Sequence, residues 1–123
     1  MKLRLRDNSI RLRLQISEIA RLRETGSVTE KIQFSPTQIL TYSILVDNAS
    51  SKISSSFTGN QVVVKIPEKL AKPWLEADEV GLETSQVINE KHTLNILLEK
   101  DFKCLTPRAD EVDMFPNPEE FHV

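Results

Sequence analysis

The first fourteen residues restrict the fold more than any other stretch. Leu3 and Leu5 alternate with Lys2, Arg4 and Arg6, and Ile10, Leu12 and Leu14 alternate with Arg11 and Arg13. A period of two puts all the apolar side chains on one side of a strand; a helix would scatter them around its circumference. Asp7-Asn8 lies between the two runs, and both residue types tolerate the positive φ of a tight hairpin turn. The pattern predicts a hairpin of strands 2–6 and 9–15. A two-residue turn sets Arg4 opposite Arg11 and Lys2 opposite Arg13, so five cations share one face.

A short helix follows, with Ser17 as N-cap, Ile19, Leu22 and Ala20 on its inner side and Gly26 as its stop. Strands are predicted near 28–34 and 38–46, separated by Ser35-Pro36-Thr37, because Pro cannot donate to a ladder. The cycle then recurs. Residues 51–57 and 60–66 read as a hairpin around Gly59, and Pro67 suits the first turn of a helix carrying Leu70, Ala71, Trp74 and Leu75. Pro73 is expected to kink or split that helix. Strands near 79–84 and 92–99 complete the set.

A shift of 52 positions tests this recurrence: Asn8 falls on Asn60, Ile10 on Val62, Leu12 on Val64, Leu14 on Ile66, Leu22 on Trp74, Glu24 on Glu76 and Val28 on Val80. With two further residues of loop, Leu40 falls on Leu94, Tyr42 on Ile96, Ile44 on Leu98 and Asp47 on Asp101. The shared order of turn, strand, helix and strand predicts an internal duplication of a β-β-α-β-β unit.

The run Gly59-Asn60-Gln61-Val62-Val63-Val64-Lys65-Ile66-Pro67, then a short helix and Ala77-Asp78-Glu79-Val80, resembles the AbrB/MazE type of DNA-binding antitoxin and transition-state regulator. Asn8-Ser9-Ile10-Arg11-Leu12-Arg13-Leu14 is a weaker copy, with Gln15 in place of the Pro. The whole chain also resembles an uncharacterised family of small bacterial proteins. In the AbrB/MazE family two chains each give one unit to a swapped-hairpin barrel. The resemblance therefore implies that this chain closes a mainly-β barrel with two short α-helices alone, as a fused pseudo-dimer, with a homodimer as the alternative. Barrel closure would remove open strand edges. The expected layout is one domain over 1–108, with pseudo-repeats 1–48 and 49–108, and an acidic tail over 109–123.

Charge separates the ends of the chain. Residues 1–26 hold seven Lys/Arg against three Asp/Glu, and residues 27–123 hold nine against fifteen. A single Cys fits a reducing compartment, and no run is apolar and long enough to be a signal peptide or a membrane span. These features predict a cytoplasmic protein without membrane contact.

Lys2, Arg4, Arg6, Arg11 and Arg13 are the first candidate site. Like charges across a hairpin repel, so either an anionic partner compensates them or carboxylates of a neighbouring strand or of the acidic tail do. Nucleic acid is the less favoured partner, since the sequence pI is about 5.7 and no aromatic residue interleaves with the cations for base stacking. The tail residues Asp110, Glu111, Asp113, Phe115 and Phe121 are the second candidate. They are expected either to bind a basic protein, as the resemblance implies, or to pack Phe115 and Phe121 back onto the barrel. Cys104, near Lys100, Lys103 and Arg108, is a candidate reactive thiol, though a Cys beside Phe and Leu is more often a small buried hydrophobe. No Cys, His or carboxylate pair has metal-site spacing, and no cofactor is expected. The reading as a whole is a non-enzymatic binding or regulatory module, protein-binding before DNA-binding, with a small enzyme or ligand-binding barrel as the further alternative.

Overall fold

The computed structural model describes residues 1–102 and 114–116. It is mainly β with two helices. The elements are β1 (Lys2–Arg6), β2 (Ser9–Leu14), α1 (Ile16–Thr25), β3 (Ser27–Gln33), β4 (Ile39–Asp47), β5 (Ser54–Thr58), β6 (Gln61–Pro67), α2 (Glu68–Glu76), β7 (Gly81–Val87) and β8 (Thr93–Lys100). The predicted order is therefore present, and the hairpin registers Lys2↔Arg13 and Arg4↔Arg11 are those expected. The turn works as the residue types suggest: Asp7 and Asn8 have φ of 47° and 57°, and Gly59 and Asn60 have 55° and 61°.

The strands form two four-stranded sheets, ordered β1-β2-β8-β7 and β3-β4-β6-β5. Each sheet takes one hairpin from each half of the chain. Its two central strands, β2 with β8 and β4 with β6, run parallel. These four central strands supply most of the best-buried side chains: Leu12, Leu14, Ile44, Val64, Ile66, Ile96 and Leu98 are all at or below 1% exposure. Because β2 and β8 are parallel, the turns that precede them lie at one end of the sheet, and the same holds for β4 and β6. That end is the hairpin end. α1 and α2 leave the far ends of β2 and β6, and the Arg23 Nη1 donates to the Leu75 carbonyl at 3.2 Å between the helices.

The expected closed barrel is not formed; the sheets remain separate. At the two corners side chains take the place of a backbone ladder. Gln86 of β7 covers β5: its Oε1 accepts from the Ser55 N–H at 2.9 Å and its Nε2 donates to the Ser55 carbonyl at 3.3 Å. At the other corner the Met1 ammonium pairs with Glu18 and Glu30, and the Tyr42 hydroxyl lies 3.0 Å from the Met1 carbonyl and 2.9 Å from the Glu30 carboxylate. A side-chain amide can satisfy one residue of an edge strand, but it cannot continue a ladder.

Four local expectations change. The N-cap of α1 is Gln15 rather than Ser17, because Glu18 closes a capping box on the Gln15 N–H at 2.9 Å. α2 runs through Pro73 without a break, and it leaves Leu70 exposed. Val80 precedes β7 instead of lying in it. The halves correspond by 52 residues over the first hairpins (Leu5↔Ile10, Phe57↔Val62) and by 54 over the second (Val28↔Ile44, Leu82↔Leu98), so the two extra residues sit before β7 and not between β7 and β8.

Gly81 opens β7 against β8, and a Cβ there would lie 2.6 Å from the Leu98 carbonyl oxygen. Gly81→Ala must push the strands apart, so it is expected to lower stability by about 1–3 kcal/mol. A urea unfolding midpoint equal to that of the parent chain would contradict this contact.

Candidate functional site

At the hairpin end the two sheets part and leave a cleft of about 720 Å³. Seven of the eight strands or their turns reach it. Its walls are apolar: Leu3, Ile10, Leu40, Val62 and Leu94 line it. Sequence patterning explains why these residues are there. Each belongs to the inward-facing period of its strand. Leu5 and Phe57 stand at the mouth, 62% and 69% exposed. They occupy equivalent positions in the two halves, 52 residues apart. Their inward-facing pattern reads as core, which is why sequence reasoning did not single them out; only the parting of the sheets leaves them wet. Phe34 and Ile88, beside the other two turns, are also exposed.

The polar groups of the cleft are of two kinds. Ser55 and Gln86 lie at one side and engage each other, with the Ser55 hydroxyl 3.0 Å from Gln86 Oε1. Arg6, Asp7, Asn8 and Ser9 form the rim at the tip of the first hairpin. Asn8 is fixed there: its Nδ2 donates to the Thr93 carbonyl at 2.7 Å, and its carbonyl accepts from the Asn95 N–H at 3.1 Å.

All five predicted cations lie on the outer face of the first sheet. Carboxylates at the end of β8 meet three of them. Arg11 makes a bidentate pair with Glu99 at 3.1 and 3.0 Å, Arg13 reaches the same carboxylate at 3.5 Å, and Lys2 pairs with Asp101 at 3.0 Å. The neighbouring strand therefore supplies much of the compensation that the cross-strand repulsion calls for. Arg6 is different. It is 61% exposed and its ion pair is with its neighbour Asp7, itself 87% exposed, at 3.3 Å. A hollow of about 280 Å³ beside it is lined by Arg4, Arg6, Ser9, Arg11 and Leu97. Arg6 and Ser9 line both this hollow and the apolar cleft.

Of the tail only Met114, Phe115 and Pro116 are described, and all three are exposed. Phe115 is 98% exposed, which corrects the expectation that it packs onto the sheets. Asp110, Glu111, Asp113, Phe121 and Cys104 lie outside the described residues. His92 is exposed and its Nδ1 is 3.0 Å from Asn89 Oδ1 in the β7–β8 turn. Among the described residues no group of three or more His, Cys, Asp or Glu side chains is placed to hold a metal ion, and no helix is long and apolar enough to cross a membrane.

A second cluster of charge lies at the β1–β3 corner, with the Met1 ammonium and Glu18 buried and Glu30 half-buried. Burial alone would lower the pKa of the Met1 ammonium, but its hydrogen bonds to Glu18 and Glu30 and their charges outweigh burial and raise it. Burial pushes Glu30 the other way from its bonds, yet the ammonium, Glu18 and Tyr42 together hold it below the usual carboxylate range. The Tyr42 phenol is pushed up to about 12 by burial and by the Glu30 carboxylate beside it. These groups satisfy one another and hold a corner.

One protein family, described as a family of unknown function (DUF7009), matches residues 1–119. No curated protein and no solved structure matches the chain.

Proposed function

The chain belongs to that family of unknown function, matched over 1–119, and we propose that it is a non-enzymatic binding and regulatory module that grips an apolar group of a partner protein at its hairpin end. The observation that carries this reading is the 720 Å³ apolar cleft with Leu5 and Phe57 exposed at its mouth. Exposed apolar residues that converge on a concave site are what recognition surfaces present, whereas single ones scattered over a surface need no explanation. A protein partner is favoured over DNA because carboxylates already meet Lys2, Arg11 and Arg13, and because the net charge is −2.

The reading includes an ancestry: a fused pair of AbrB/MazE-like β-β-α-β-β units with exchanged hairpins. Its support is the 52- and 54-residue correspondence of the ladders and the sharing of each sheet between the halves. On this view the halves have diverged at the tips, where Arg6 in one matches Thr58 in the other.

The test is affinity capture from a native lysate, comparing the parent chain with a Leu5→Ser, Phe57→Ser double variant whose circular dichroism is unchanged. A specific protein held by the parent and lost from the variant is the expected result. If both columns retain the same proteins, the hairpin end is not the binding surface.

A further inference from the structure

Resting on the reading of the hairpin end as a protein-binding site, we infer that its ligand is an acidic peptide segment with a bulky apolar anchor, the anchor between Leu5 and Phe57 and a carboxylate on Arg6. The argument is one of adjacency and charge. The apolar cleft and the cationic hollow are separate in character but share Arg6 and Ser9 as a common wall. A ligand whose apolar group fills the first therefore has Arg6 beside it at the rim. Arg6 is the cation best placed to answer it. It stands 61% exposed, and its ion pair with Asp7 is solvent-facing on both sides, so exchanging that partner for another carboxylate sacrifices little.

The opposite rim has no such group. There the β5–β6 tip is Thr58-Gly59-Asn60, the positional match of Arg6-Asp7-Asn8. A cation, with its exposed partner Asp7, is thus placed on one side of the mouth, and no charged side chain stands at the tip on the other. An acidic residue on the Arg6 side is favoured and one on the Thr58 side gains nothing, so the site specifies the direction of the bound segment as well as its chemistry. Apolar contact supplies most of the affinity, and the charge supplies orientation and choice of partner.

Fluorescence anisotropy with the full chain tests this with three labelled synthetic peptides. One alternates Glu and Asp with Phe and Leu, one has Lys in place of the acids, and one keeps the acids but has Ser in place of the apolar residues. The acidic-apolar peptide is expected to bind best. Phe57→Ser is expected to weaken it roughly thirtyfold, the effect of losing a central anchor. Arg6→Glu is expected to weaken it about fivefold and to improve the Lys peptide. Both residues are exposed, so both variants should fold, and circular dichroism checks this; Leu5→Ser is the replacement if one does not. Equal binding of the acidic and Lys peptides, sensitive to Phe57→Ser, would overturn the acidic class and leave the cleft reading intact. Binding that ignores Phe57→Ser, or no binding by any of the peptides, would overturn the inference, and indifference to both Phe57→Ser and Leu5→Ser would count against the cleft as well. Displacement of the acidic-apolar peptide by a single-stranded oligonucleotide through Arg6 would instead assign this rim to nucleic acid and overturn the peptide reading.

Discussion

Replacing Trp74 by Ala is expected to remove about 3–5 kcal/mol of stability, the usual cost of emptying a large aromatic site in a packed core. Trp74 is fully buried on α2, with Ala71 and Leu75 on the same face. Leu22 of α1, 52 residues earlier in the chain, is also fully buried. The helices touch each other at this end, where Arg23 bonds the Leu75 carbonyl. Trp74 also ties its helix to the β7–β8 pair of the first sheet: its Nε1 donates to the Val80 carbonyl at 3.3 Å, and the same carbonyl accepts from the Lys100 N–H at 3.0 Å. Trp74→Phe keeps most of the volume and leaves Val80 with Lys100, so it should cost about 1–2 kcal/mol, near the upper end for a conservative core change. Urea unfolding followed by circular dichroism gives both values; fluorescence cannot, because Trp74 is the one Trp of the chain. A loss near 1 kcal/mol for the Ala variant would mean that the helix end of the core is not packed as described.

Glu18→Ala is expected to cost about 2–4 kcal/mol, because one side chain serves two interactions that are seldom combined. It closes the capping box of α1, and it is one of two carboxylates that pair with the Met1 ammonium, whose side chain is 0% exposed. Losing one partner of a buried charge leaves the charge undercompensated, which costs more than the pair itself contributes. Glu18→Gln keeps an acceptor for the cap and loses the charge, so it should fall between the parent and the Ala variant. The same corner sets a pH dependence. Glu30 is depressed, so its contribution is present above the ordinary carboxylate value of 4.5 and is lost as pH falls through its lowered value. The Met1 ammonium is raised, so its contribution is full below its ordinary 8.0 and is lost as pH rises through the raised value. Tyr42 is raised as well, and its contribution declines above the ordinary 10.0 as pH climbs through about 12. Stability should therefore be flat between about pH 5 and 8 and fall on both sides. Urea midpoints across pH measure it. A Glu18→Ala variant with the parent's midpoint at neutral pH would show that the corner does not hold the ammonium.

The sequence by itself determined the elements and their order. Alternation in Lys2–Arg6 and Ser9–Leu14, the Asp7-Asn8 and Gly59-Asn60 turns and the Gly26 stop are local signals, and local sterics and patterning act on them directly. It also determined that five cations share one face, since a two-residue turn fixes the register. Gln15 caps α1 because Glu18 reaches back to it, and α2 continues through Pro73. Only the tertiary structure decided how the hairpins assemble. Whether two sheets close into a barrel depends on whether edge strands meet backbone to backbone, and at these corners Gln86 and the Met1 cluster stand between them. The same arrangement decided the candidate site. Leu5 and Phe57 carry the inward-facing pattern of core residues, and the sheets part at the level where they stand, so residues patterned for burial line an open mouth. Residue pattern specifies which face of a strand is apolar, but the cover over that face is a contact between chain segments far apart in sequence, and only the assembled sheets determine it.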